Sequence, residues 1–223
     1  MSRRPFLVFD LDGTLIDGYE AIADALAFAM GRLGEAPLPL PRVRRMVGHG
    51  LESLLEDAVG KERAAEGVSL FRERYPEVAV EKSHLLPGVA ETLDVLRSRG
   101  HRMALASNKP ARFSRMILEA KGVAGYFPAL RSAPDGALLI AGPDAETPAK
   151  PDPTMLRRLM AGEGVSPGET VAVGDMEVDS DFARAAGCRV VLIPGGSRSR
   201  QELLGVDADA LLDSIEALPA WLA

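Results

Sequence analysis

The stretch LVFDLDGTLID, residues 7 to 17, decides the fold. It overlaps an apolar run, Phe6 to Phe9, with the length and composition of a buried strand. Two carboxylates, Asp10 and Asp12, follow at once, and a Gly-Thr turn comes directly after them. If the strand continues, residues two apart point to the same side. Like charges that close are costly, so a strand rarely ends in both unless a cation or a shared proton relieves the repulsion. The plainer alternative is a loop of two solvated carboxylates, with Asp12 and Gly13 as turn residues.

Three further apolar runs, Met103 to Ala106, Thr170 to Val173 and Arg189 to Ile193, repeat the strand signal, and Leu138 to Ile140 is a weaker fifth. Helical stretches alternate with them, the signature of parallel strands joined by crossover helices in an α/β fold. The first three runs end in small and polar clusters: DLDGT, then SNKP, then GDMEVD. Ligands of open α/β sheets bind outside the carboxyl ends of the strands, so these clusters can converge on one site. From Asp17 to Leu86 the chain runs 70 residues, too long for one crossover helix. That interval reads as a helical insert: Ile22, Leu26, Ala29 and Leu33 fall at spacings of three and four, and two more amphipathic stretches follow at Leu51 to Val59 and Ala64 to Tyr75. Pro37, Pro39 and Pro41 make a stiff break within it, and Leu86, Pro87 and Gly88 mark the return. The expected division is a core of residues 1–16 and 87–223 and an inserted unit of residues 17–86.

A formal net charge of −6, with no run of five Lys or Arg, argues against nucleic-acid phosphates or anionic membrane as partners. The 47% hydrophobic content excludes disorder as the main state, and no apolar stretch approaches the roughly 20 residues that span a bilayer. Cys188 is the single cysteine and cannot form an internal disulfide; it reads as buried and inert. The expectation is a cytoplasmic monomer or homodimer acting on a small metabolite.

Asp175 and Asp179, four apart after the third run, would lie near one face of a helix first turn, where a plain capping role competes with metal binding for Asp179 and Asp181. An all-oxygen set without clustered Cys or His suits a hard cation such as Mg²⁺. Ser107 and Asn108 offer a hydroxyl and an amide where a helix starts, suited to a phosphoryl oxygen, though Ser107 alone would more often be a cap. Lys150 is held among Pro148, Pro151 and Pro153 with its charge free to reach a ligand. VGHGL, residues 47 to 51, is a glycine-flanked loop whose His49 either touches substrate or is simply exposed. Arg44 and Arg45 could meet a substrate carboxylate or stay solvated, and His84 and His101 read as structural or surface residues.

FDLDGT, then SN, then KP, then GD with an Asp four residues on, resemble in this order the haloacid dehalogenase superfamily of phosphatases. The stretches LVFDLDGTLID, VGHGL, LLPGVAETLDVLRSRG, LASNKP and AKPDP are most similar to the branch that includes phosphoglycolate phosphatases. The resemblance implies a Rossmann-like parallel-sheet core with an inserted α-helical cap, and a Mg²⁺-dependent hydrolysis of small phosphomonoesters through an aspartyl-phosphate. It implies Asp10 as nucleophile, Asp12 as general acid and then base, Ser107 on a phosphoryl oxygen, and Lys150 neutralising charge. Thr14, Asn108 and His49 are its substrate-binding candidates. Its metal set is Asp10, the backbone carbonyl of Asp12 and Asp175, with Asp179 in or near the second shell. Dehalogenating members lack an aspartate two residues after the nucleophile, so Asp12 favours phosphoryl transfer over carbon-halogen cleavage. A phosphosugar mutase of the β-phosphoglucomutase kind, or a phosphatase for another sugar or nucleoside phosphate, is the alternative. A receiver-type phospho-acceptor is disfavoured by the insert, and a nucleotide-dependent oxidoreductase by the lack of GxGxxG after the first strand. The segment from Pro134 to Thr147 departs from the family pattern before its lysine.

Overall fold

The computed structural model describes residues 4–128, 140–143 and 147–223. Strand β1 (Phe6–Phe9) is followed by a short β2 (Ile16–Asp17), then helices α1 (Tyr19–Arg32), α2 (Leu40–Met46), α3 (Leu51–Val59) and α4 (Lys61–Val78). A short β3 (His84–Leu85) precedes α5 (Val89–Ser98), β4 (Met103–Ala106), α6 (Ala111–Ala120) and β5 (Ile140–Ala141). The remainder alternates: α7 (Thr154–Glu163), β6 (Thr170–Gly174), α8 (Glu177–Ala185), β7 (Arg189–Leu192), α9 (Arg200–Leu203), β8 (Ala210–Leu211) and α10 (Leu218–Trp221).

Six strands form one sheet in the order β5-β4-β1-β6-β7-β8, every neighbouring pair parallel. Every residue of β1, β4 and β6 is buried, which is why they read as unbroken apolar runs rather than alternating ones. β1 lies at the middle, with β4 and β6 on either side, so the residues after Phe9, Ala106 and Gly174 emerge side by side. The Asp10 N–H still donates to the Val173 carbonyl at 2.8 Å, which carries the sheet register into the first site residue.

The inserted helices pack on one another, α1 along α4 and α3 against α4. The stripe Ala21, Ile22, Ala25, Leu26, Ala29 on α1 is buried, as are Val68, Phe71 and Tyr75 on α4. Burying each large side chain of this kind contributes about 1.5–3 kcal/mol, the energy that the helical periodicity anticipates. The proline segment is not merely a break: Pro39 caps α2 and Pro41 sits in its first turn, where a missing N–H costs nothing. The chain leaves and returns through an antiparallel ribbon, with Ile16 facing Leu85 and Asp17 facing His84. Of the weaker strand candidate, Ile140 falls in β5, and the rest lies outside the described residues, as does most of Pro134 to Thr147. Among the described residues no helix is long and apolar enough to cross a membrane.

Candidate active site

Sheet order alone brings three polar clusters to one edge, and the loop before α7 adds the fourth. Lys150 Nζ donates to Asp10 Oδ1 at 2.9 Å and to Asp179 Oδ1 at 2.8 Å, with its side chain 3% exposed. Burial works to lower the Lys150 pKa, but Asp10 and Asp179 more than offset it and hold the ammonium above its ordinary value. Asn108 fixes the lysine backbone: its Oδ1 accepts from the Lys150 N–H at 2.6 Å and its Nδ2 donates to the Lys150 carbonyl at 3.2 Å. The same Nδ2 donates to the Gly48 carbonyl at 2.8 Å, tying the loop between α2 and α3 to the sheet edge.

Asp179 does two jobs at once. Its Oδ2 accepts the N–H groups of Asp175 and Met176, both at 3.1 Å, capping the start of α8, while Oδ1 faces Lys150. Asp175 is fully buried; its Oδ2 accepts from the Ser197 N–H at 2.7 Å and its Oδ1 has no hydrogen-bond partner. Burial, then Asp179 and Asp10, push the Asp175 carboxyl well above the usual range, and burial raises Asp179 as well. Space for these carboxylates comes from glycine: a Cβ on Gly13, whose φ is +86°, would stand 2.4 Å from Asp175 Oδ2.

Asp10, Asp175 and Asp179 each offer an oxygen within 4.8 Å of the others. Lys150 bridges Asp10 and Asp179, and beside them Asp175 Oδ1 is buried without a hydrogen-bond partner. An unsatisfied buried carboxylate oxygen beside two more is the donor set a divalent cation satisfies, so the residues present fit a metal. Asp181, the extra acid, is exposed on α8 and outside this cluster.

Asp12 faces a second ammonium. Lys109 Nζ lies 3.0 Å from Asp12 Oδ2 and also donates to Tyr75 Oη on α4. Burial raises the Asp12 pKa and outweighs the opposing pull of Lys109. Ser107 is buried with its Oγ accepting from the Lys109 N–H at 3.3 Å. Asp10, Asp12, Ser107, Asn108, Lys109, Lys150 and Asp179 all line one cavity of about 80 Å³ between the sheet edge and the helical insert, whose side contributes Leu54, Phe71 and Tyr75.

Thr14 is buried with an unpartnered Oγ1 and does not line the cavity; nor does His49, which is exposed although Gly48 and Gly50 beside it do. Arg44 pairs with Asp17 at 2.9 Å and stacks on Tyr19, and Arg45 pairs with Glu202 at 2.9 Å. Sequence reasoning missed Lys109, Tyr75 and the Ser197 N–H. Lys109 had one available signal, its place inside SNKP at a strand end.

A family model described as haloacid dehalogenase-like hydrolase matches residues 6–187. The chain is 35% identical over 222 residues to the plasmid phosphoglycolate phosphatase of Cupriavidus necator, covering 97% of this chain and 92% of the relative. It is 33% identical to the phosphoglycolate phosphatase of Vibrio parahaemolyticus, with 95% and 93% covered. Among solved structures, a haloacid dehalogenase-like family protein from Streptococcus pneumoniae superposes with a TM-score of 0.86 at 21% identity, 98% of each chain covered. CbbY from Rhodobacter sphaeroides in complex with phosphate superposes at 0.79 and 24% identity, covering 97% of this chain and 96% of that one.

Proposed function

The chain belongs to the haloacid dehalogenase-like hydrolases, and on that premise we propose that it hydrolyses small phosphomonoesters, 2-phosphoglycolate foremost, using Mg²⁺ and an aspartyl-phosphate on Asp10. The observation that carries the reading is the convergence of Asp10, Lys150, Asp175 and Asp179 beside a cavity that also receives Asp12 and Ser107. Residues 17–86 then act as a cap over a core of residues 1–16 and 87–223, closing the cavity from above.

Mg²⁺, held by Asp10, Asp175 and the Asp12 carbonyl with Asp179 behind, would screen the repulsion between a carboxylate and a phosphate dianion. Lys150, in contact with Asp10, stabilises charge on the equatorial oxygens as Asp10 attacks phosphorus. The P–O bond to the alcohol breaks as the Asp10–phosphorus bond forms, and Asp12 gives its proton to the departing oxygen. Burial suits Asp12 to that role by keeping it protonated to higher pH than an exposed aspartate. Asp12, now ionised, takes a proton from water, which attacks phosphorus and releases Asp10 and inorganic phosphate. Ser107, buried at the end of β4, donates to a phosphoryl oxygen.

The test is release of inorganic phosphate from 2-phosphoglycolate, ethyl phosphate and hexose phosphates in Mg²⁺ and in excess chelator. Asp10→Asn is nearly isosteric and is expected to fold while losing turnover. A variant retaining a tenth of wild-type activity, or full activity in chelator, refutes the assignment.

A further inference from the structure

Lys109 is a buried ammonium on the cavity wall, and the phosphoryl chemistry leaves it without a task. It is 9% exposed, lies 3.0 Å from Asp12 Oδ2, donates to Tyr75 Oη and stands 4.8 Å from the Tyr75 ring centroid. An ammonium carries three N–H donors. Two are accounted for; the third has no partner among the described residues. The wall on its side is otherwise apolar, with Phe71, Phe113 and Leu54, and no other unspent cation lines the cavity there.

The order of groups along the cavity gives this donor a meaning. Lys150 marks Asp10, where phosphorus would sit; Asp12, two residues on, would face the bridging oxygen; Lys109 lies beyond Asp12. A bridging oxygen within hydrogen-bond reach of Asp12 Oδ2 is within about 6 Å of Lys109 Nζ, because that nitrogen lies 3.0 Å from the same Oδ2. A charged oxygen one carbon beyond the bridging oxygen closes most of that gap. Resting on the phosphatase reading above, we propose that Lys109, braced by Tyr75, is the specificity-determining receptor for a second anionic group, a carboxylate one carbon beyond the ester oxygen of the substrate. A substrate lacking that group leaves a buried N–H donor facing an alkyl end, a mismatch that discriminates more sharply than an apolar pocket can.

The experiment compares 2-phosphoglycolate with ethyl phosphate, which puts a methyl where the first has a carboxylate. The wild-type protein in Mg²⁺ is expected to prefer 2-phosphoglycolate in kcat/KM. Lys109→Met is expected to lower that preference about ten- to a hundredfold, mainly through KM for 2-phosphoglycolate. Lys109 also touches Asp12, so both esters should slow in the variant; the ratio between them is the decisive quantity. An unchanged ratio overturns the proposal and leaves Lys109 as a positioning residue for Asp12, as does a wild-type protein with no preference. Should Lys109→Met misfold, Lys109→Gln and Tyr75→Phe read the same ratio, with Tyr75→Phe expected to shift it less. If the wild-type protein released phosphate from neither ester, the phosphatase reading would fail. Titration calorimetry of both esters then still decides this proposal: tighter binding of 2-phosphoglycolate that Lys109→Met loses supports it, and equal binding overturns it.

Discussion

On the proposed metal site, removing Mg²⁺ should cost this protein stability in proportion to the charge it leaves behind. Asp10, Asp175 and Asp179 each offer an oxygen within 4.8 Å of the others, with one ammonium, Lys150, bonded to Asp10 and Asp179. Burial already drives the Asp175 and Asp179 carboxyls upward, so the folded chain holds these charges at a disadvantage that the unfolded chain does not share. A cation bound only by the folded state, at about a hundred times its dissociation constant, stabilises by about 2.7 kcal/mol. In a chain of this size that raises Tm by about 5–10 °C. Scanning calorimetry in millimolar MgCl₂ and in EDTA, matched in ionic strength with NaCl, reads the difference. Asp175→Asn removes a buried charge while leaving an oxygen able to accept the Ser197 N–H. It should therefore melt no lower than the wild-type chain in EDTA and lose most of the Mg²⁺ increment. Equal melting of the wild-type chain in both buffers, or a full increment in Asp175→Asn, would refute the reasoning.

Lys150→Met strips the counter-ion from Asp10 and Asp179 and should destabilise the metal-free chain by about 3–5 kcal/mol in urea titration. The loss should shrink as pH falls, starting above the ordinary carboxylate range because burial raises the Asp175 and Asp179 pKa values, and shrink also with added Mg²⁺. His101, whose Nδ1 lies 3.0 Å from the Pro5 carbonyl, is held below its ordinary pKa chiefly by burial. Its unfolded form therefore binds a proton first as pH drops below about 6.5, and stability is lost from there downward. Urea midpoints of His101→Gln should fall less steeply than wild type over that window; parallel curves would remove His101 as the cause. Gly196→Ala places a Cβ 2.0 Å from Asp175 Oδ2, so it should weaken Mg²⁺ stabilisation in the same calorimetric assay without disturbing the sheet.

What the sequence reveals follows from where chemistry and periodicity coincide. β1, β4 and β6 are legible because both faces are covered, leaving apolar runs that stop at polar clusters. The acids are legible because charge beside a buried strand requires a reason. The ribbon of β2 and β3 and the edge strand β8 are two residues each, too short to carry a period. Helix α2 hides because proline marks a break and a helix start equally well. The Ser197 N–H is invisible in principle, since every residue but proline offers the same donor. Tyr75 and Lys109 meet across 34 positions and two structural layers, a contact that only the tertiary fold creates.

Asp10 and Asp12 stand two apart in sequence, yet the fold gives them different company, which is what two distinct proposed roles at one strand end require. Lys150 arrives from the loop before α7 and lies against Asp10 Oδ1, beside the acid cluster. Asp12 sits against Gly18, with its Oδ1 buried and without a hydrogen-bond partner and its Oδ2 meeting Lys109. Burial raises the Asp12 pKa and suits it to retain a proton. The helical insert contributes to that division by placing Tyr75 behind Lys109, so the group on which Asp12 leans is itself braced by the element that roofs the cavity. Moving the insert away would therefore alter the surroundings of Asp12 more than those of Asp10, and on the proposed roles that would couple cavity closure to the acid rather than to the nucleophile.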